Sequence, residues 1–367
     1  MTETNLLYIL ALQHVPNVGD ILAKRLIAHC GSAEAVFKEK KQALVKIDGI
    51  GSVILKDLLN ANHLKEAEKE INYILNNNIK VSYFQDANYP NKLKHCIDAP
   101  ILLFEAGNID LKSRHIISIV GTRKITTHGI ANCERLIEIL APYNPVIVSG
   151  FAYGTDITAH KAAIKNNLQT IGCLAHGLNQ IYPKTHKKYM IDVEKNGGFL
   201  TDFWSSDNFD RNNFLKRNRI IAGLSEATIV IESAEKGGSL VTADIANSYN
   251  RDVFALPGRI TDSQSIGCNN LLKYQKAHML TTPLDIPYML NWQLEEQEKK
   301  PVQKQLFVEL DATEKVIYNY LKENEKQQLD VIAINCSLPI FKAASILLTM
   351  ELKGVVRPLP GKLFEIV

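Results

Sequence analysis

The segment from Val146 to His160, VIVSGFAYGTDITAH, passes from a short apolar run through Ser149-Gly150 and Gly154-Thr155-Asp156 into a stretch with helical character. Glycine lets a backbone come close to a ligand, and the free N–H groups at a helix start favour an anion. The junction therefore predicts a strand end at a ligand edge.

The same pattern recurs on either side of it. Between about residues 81 and 292, HIISIVG, PVIVSG, QTIGCLAHG, ATIVIES, RDVFALPG and AHMLTT are short apolar runs separated by helical stretches. Apolar runs without alternation imply strands covered on both faces, which predicts an α/β doubly wound sheet. Ligands of such sheets bind at the carboxyl ends of the strands.

Residues 1–80 read as helices only. Two segments there look alike, VPNVGDILAKRLI and KIDGIGSVILKDLL, each with a Gly-containing turn before an amphipathic helix. They resemble helix-hairpin-helix motifs, whose turns offer N–H groups to a nucleic-acid phosphate, and they equally suit a small helical bundle. Residues 293–307, within QLEEQEKKPVQKQLF, break the apolar pattern and read as a linker. Residues 308–367 give three helical patterns and two short strands turning at LPGK, the order of a winged helix. With seven Lys and Arg against eight Asp and Glu, this segment suits docking to protein at least as well as docking to duplex.

Composition narrows the classes. The 367 residues are 46% apolar and 22% charged with a net charge of +3, so bulk charge implies no nucleic-acid partner. The six cysteines lie far apart, without C-x-x-C pairs or clustered histidines, which argues against a zinc site or a disulfide framework. No run approaches 18 apolar residues, and MTETNLLYILALQ lacks a basic leader. A soluble cytoplasmic protein without membrane partner, metal or cofactor is expected.

Three constellations carry chemistry. In IVGTRKITTHG, Gly121 and Thr122 predict a tight turn that stands Arg123 over the crevice. Neither G-x-G-x-x-G nor a P-loop occurs, so ordinary dinucleotide and NTPase sites lose their main support. At the second junction, Asp156 and His160 are four apart on a helix, an acid/base pair or half a metal site on one reading and, on the other, a carboxylate that stabilises the helix's first turn and bonds the nearby histidine. In NNFLKRNRIIAGLS, Lys216, Arg217, Asn218 and Arg219 stand beside Phe214, and cations with an exposed ring suit single-stranded nucleic acid. A solvated helix start with one core phenylalanine reads equally well. ESAEKGGSLVTADIA then offers Lys236, Gly237, Gly238 and Ser239 as a further anion nest.

Together these segments resemble the DNA-processing protein A family, also called DprA or Smf, in VGTRKITTHG, VSGFAYGTDITAH, GLNQIYPKTH, FLKRNRIIAGLS, ESAEKGGSLVTADIA, VFALPG and SIGCNNLL. The resemblance covers about 88–290 and implies a Rossmann-like core. It also implies a protein that binds single-stranded DNA, dimerises through that core and loads the RecA recombinase during natural transformation. By resemblance, Arg123, the turn from Ser149 to Asp156, Phe214, Arg217, Arg219 and Lys236 line the strand-binding groove. The chain departs from the family in having Tyr153 where arginine is usual and Gly237 where serine is usual; losing the arginine removes a phosphate contact, and a tyrosine is able to stack a base.

The alternative is an enzyme, since such a core also resembles nucleotide phosphoribohydrolases. Their P-G-G-x-G-T-x-x-E loop corresponds here to KGGSLVTAD, with Asp244 displaced and no glutamate in place. A non-catalytic binding protein is the expected class.

Overall fold

The computed structural model describes residues 2–60, 62–112, 115–294, 310–359 and 363–366. Two units are present, Met1–Leu294 and Glu295–Val367. The first opens with helices α1 (Glu3–Gln13), α2 (Asp20–Cys30), α3 (Ala33–Lys38), α4 (Lys41–Leu44), α5 (Ser52–Leu58) and α6 (Asn62–Asn76). The two similar turns are built alike. Val18 N bonds Val15 O and Ile50 N bonds Ile47 O, with Asn17 and Gly49 at positive φ and Gly19 and Gly51 starting α2 and α5. Ile9, Leu10, Leu26 and Ile71 of these helices share a core with Tyr83, Leu102, Phe104 and Trp204 of the following region. Glu70 on α6 accepts from Ser205 N and Oγ (2.9 and 2.5 Å), so the helices and the sheet pack as one body.

The sheet follows as β1 (Lys80–Tyr83), α7 (Asn91–Lys94), β2 (Leu102–Gly107), β3 (Ile116–Val120), α8 (Thr127–Leu140), β4 (Val146–Ser149), α9 (Thr155–Lys165) and β5 (Thr170–Cys173). It continues through α10 (Met190–Lys195), β6 (Gly197–Thr201), α11 (Asn213–Leu224), β7 (Ala227–Val230), α12 (Gly238–Ser248), β8 (Asp252–Ala255), α13 (Ile266–Lys273), β9 (His278–Met279) and α14 (Asp285–Met289). The strand order is β1-β2-β6-β5-β4-β3-β7-β8-β9. Strands β3 to β9 are parallel to their neighbours, whereas β2 runs antiparallel to both β1 and β6.

Why these runs are apolar throughout is visible in their packing. Ile116, Val120, Val146 and Val148 face the core under α11 and α12, while Ile117, Ile119 and Ile147 face the core under α8 and α9. Each strand thus buries both faces, as a doubly wound sheet requires. The chain winds from β3 toward β6 and then returns to β7 on the other side of β3, so the switch point lies between β3, β4 and β7.

Three strands are additional to the expected runs. β6 opens with Gly197-Gly198, which weakens a strand signal, and β1 and β2 form the antiparallel margin.

In the second unit, α15 (Ala312–Asn324) starts with a capping box of Asp311 and Glu314. It is followed by β10 (Gln327–Gln328), α16 (Leu329–Asn335), α17 (Ile340–Leu352), β11 (Val356–Leu359) and β12 (Leu363–Ile366), in a sheet of order β10-β12-β11. Ile317, Leu321, Ile332, Leu347, Met350 and Val356 form its core, and buried Glu314 pairs with Lys353 at 2.6 Å. The winged-helix order is present. On α17, Phe341 (79% exposed) and Leu352 (83%) face outward beside Lys342. The expected linker, 293–307, lies outside the described residues except for Gln293 and Leu294, as do three residues of the LPGK turn.

Candidate nucleic-acid interface

A cleft of about 730 Å³ opens at the switch point, walled by the ends of β3, β4 and β7 and the starts of α11 and α12. Its floor is pinned by hydrogen bonds between turns. Thr122 N donates to Glu232 O (2.8 Å), Thr155 N and Oγ1 donate to Thr122 O (3.1 and 3.2 Å), and Lys124 N donates to Thr122 Oγ1 (3.1 Å). Gly154 has φ +75° and packs against the Thr122 and Arg123 backbone, a place for glycine alone.

Gly121, Thr122, Arg123, Tyr153 and Asp156 line the cleft on one side; Phe214, Arg217, Asn218, Lys236, Gly237, Gly238 and Ser239 line it on the other. The fold therefore gathers all three motif regions into one site. Arg123 and Lys236 are exposed. The Arg123 guanidinium lies 5.1 Å from the centre of the Phe214 ring, and Tyr182 and Phe209 meet that ring edge-on at 5.5 and 5.8 Å. Tyr153 is 43% exposed, accepts from Thr185 Oγ1 (3.1 Å) and stands edge-on to His186. Helix α12 follows its N-cap Gly237 without a side-chain cap, and Gly237, Gly238 and Ser239 line the cleft, so the helix start offers an anion seat there.

Other expected residues serve the framework. Ser149 is buried and donates to Ile119 O (2.6 Å), because strand alternation turns it into the sheet. Thr155 and Gly154 lie behind the Thr122 turn, and Gly150 is wedged against the Arg217 guanidinium. Lys216 and Arg219 are corrections: they face away from the cleft, toward α1 and α2. Arg219 pairs with Asp20 (2.8 Å) and Asp202 (2.5 Å) and donates to Asp98 O, tying the N-terminal helices to the sheet. Burial opposes its charge, but the two carboxylates more than offset that and hold its pKa above the ordinary value.

Arg217 lines the cleft yet is almost wholly buried. Its Nη1 donates to Gly150 O (2.7 Å) and Cys173 O (2.5 Å), bridging the ends of β4 and β5. Asp156 accepts from Ala152 N (3.2 Å), and burial raises its carboxyl above the usual range against the opposing charge of Arg217. His160 turns to Thr170 Oγ1 (2.7 Å) and not to Asp156; burial lowers its pKa to about 3. Asp156 does stand in the first turn of α9, but the histidine bond of the helix-start reading is not made: its partner is the Ala152 amide, which precedes the helix.

The phosphate seat at the first helix of the parallel sheet is already filled. Thr126 at the start of α8 donates N–H and Oγ1–H to the buried Glu232 carboxylate (2.9 and 2.6 Å), and Gly129 leaves room for it. A protein anion thus occupies the position a nucleotide phosphate would take. Asp244, the displaced acid of the KGGSLVTAD loop, pairs with Lys276 (2.9 Å) and does not line the cleft.

Sequence reading left out Lys124, Tyr182, Arg211, Ser233 and Gln264. Arg211 sits just before the FLKRNR segment, and Tyr182 belongs to the IYPKTH turn, so both had a local signal. Gln264 immediately precedes SIGCNNLL, but that segment gives no reason to place it in the cleft; the fold brings it from the loop after β8 to the start of α12.

Residues 80–291 match the family model for DNA recombination-mediator protein A, and residues 302–362 match that for the DprA winged helix domain. Protein Smf of Synechocystis is 32% identical over 276 residues, covering 74% of this chain and 69% of that one. DNA processing protein DprA of Streptococcus pneumoniae is 38% identical over 198 residues, covering 54% and 70% respectively. The X-ray structure of the Streptococcus pneumoniae protein superposes with TM-score 0.65 at 31% identity, covering 80% of this chain and 99% of that one. A structure of DNA processing protein A from Helicobacter pylori, concerned with its single-stranded DNA binding mode, gives TM-score 0.53 at 28% identity over 58% and 95%. With the cleft motifs, the parallel sheet and the winged helix all in place, the chain belongs to the DNA recombination-mediator protein A family, the DprA/Smf proteins.

Proposed function

We propose that this protein binds single-stranded DNA in the cleft and, without catalysing a reaction on it, delivers the strand to a RecA-type recombinase during DNA processing in natural transformation. One observation carries the reading: exposed Arg123, Lys124, Arg211 and Lys236 surround a cluster of aromatic rings and an uncapped helix start in one cleft. Cations track a sugar-phosphate backbone, the helix start seats one phosphate, and a ring stacks a base of any identity. The single-stranded DNA binding of the Helicobacter pylori relative supports it.

Glu232 in the α8 seat and Asp244 on Lys276 count against a nucleotide-hydrolysing reading. Among the described residues that line the cleft itself, the one carboxylate is Asp156, which accepts from a backbone amide.

Pairing of two copies through the Rossmann-like unit, in the cytoplasm, belongs to the same proposal. The short exposed edge strand β9, with Tyr288 86% exposed nearby in sequence, supports a self-association edge. Among the described residues no single helix is long and apolar enough to cross a membrane. Recombinase filament assembly on a single strand, followed with and without this protein, tests delivery. Faster assembly is expected, and an unchanged or slower rate contradicts it.

A further inference from the structure

The side-chain carbonyl oxygen of Gln264, Oε1, is an acceptor, as phosphate oxygens are. It is buried and has no hydrogen-bond partner among the described residues, although the side chain lines the cleft beside Lys236, Gly237 and Ser239. The turn that carries it is fixed. Ser233 N donates to Gln264 O (2.7 Å), Gln264 N donates to Asp262 Oδ1 (3.0 Å), and Ser265 Oγ donates to Asp262 Oδ2 (3.1 Å). A buried acceptor on a fixed turn that lacks a donor is costly, so the group is matched to a donor that arrives with the ligand.

The ligand's chemistry leaves one source of donors. Phosphate oxygens only accept, and they are drawn to the neighbouring cation Lys236 and the start of α12. A deoxyribose within a strand has no hydroxyl. The bases do carry N–H groups, each beside an acceptor, which is the pattern a carboxamide complements.

We infer that Gln264 accepts a hydrogen bond from the edge N–H of a base whose flanking phosphate sits at the start of α12. The inference rests on the single-strand reading above and adds what a phosphate-and-stacking groove lacks, a requirement for a base edge without a choice among bases.

The test compares oligo-dT with an oligonucleotide of the same length built from N3-methylthymine, which keeps every phosphate and ring but loses the N–H. The wild-type protein should bind oligo-dT about tenfold more tightly, the scale of one good base-edge contact. Gln264→Leu should bind both equally, at the affinity the wild type shows for the methylated strand. Equal affinities in the wild type overturn the inference without any variant, and so does a preference that persists in a folded Gln264→Leu. Absence of salt-sensitive binding to oligo-dT itself overturns the single-strand reading, a separate failure.

Discussion

The Arg123 guanidinium covers one face of the Phe214 ring at 5.1 Å, joining an exposed cation from the β3 turn to an aromatic on α11. These two residues are 91 positions apart in sequence, from 123 to 214, and meet because β3 ends and α11 begins at the cleft. An aromatic with a movable cation over it suits a base above and a phosphate beside.

Removing exposed cations should weaken binding without unfolding the protein. Arg123→Ala and Lys236→Ala should each lower the salt slope of single-strand binding by about 0.7. Fluorescence anisotropy at several salt concentrations reads the slope, and an unchanged slope in both variants rules out the cleft.

Phe214→Ala should cost about 1–3 kcal/mol of strand affinity if a base stacks on the ring. Because Tyr182 and Phe209 also pack on Phe214, circular dichroism melting separates a lost stacking surface from a loosened aromatic cluster.

Arg217→Ala should behave unlike Arg123→Ala. It removes a buried guanidinium that bridges Gly150 and Cys173, so stability should fall by about 3 kcal/mol, read from denaturant midpoints. A variant as stable as the wild type contradicts the bridging role.

How much of this was legible follows from particular residues. Ile116 to Val120 and Val146 to Ser149 announced covered strands because both faces are apolar, and Gly121 and Gly154 announced the turns. Arg219 misled because helix geometry sets it about 200° around α11 from Arg217, so adjacent cations in FLKRNR serve opposite surfaces. Ser149 misled because strand alternation, which no turn motif records, buries its hydroxyl. Glu232 was read as part of a loop motif, and only the fold shows its carboxylate filling the α8 seat.

Acid should destabilise the fold partly through His160. Its folded pKa, about 3, is depressed by burial, whereas the unfolded imidazole titrates near 6.5. The unfolded chain therefore takes the proton first; stability is full above about pH 6.5 and is lost as pH falls toward 3. Below about pH 6 the wild type should lose about 1.4 kcal/mol per pH unit more than His160→Leu, measured by urea unfolding across pH. Parallel slopes contradict this.

The most direct measurement is the anisotropy of labelled oligo-dT and of a duplex of equal length, titrated with the full chain at rising salt. We expect clear preference for the single strand, with affinity falling steeply as salt increases. Equal binding of the two forms, or none at low salt, would contradict a cleft built for single-stranded DNA.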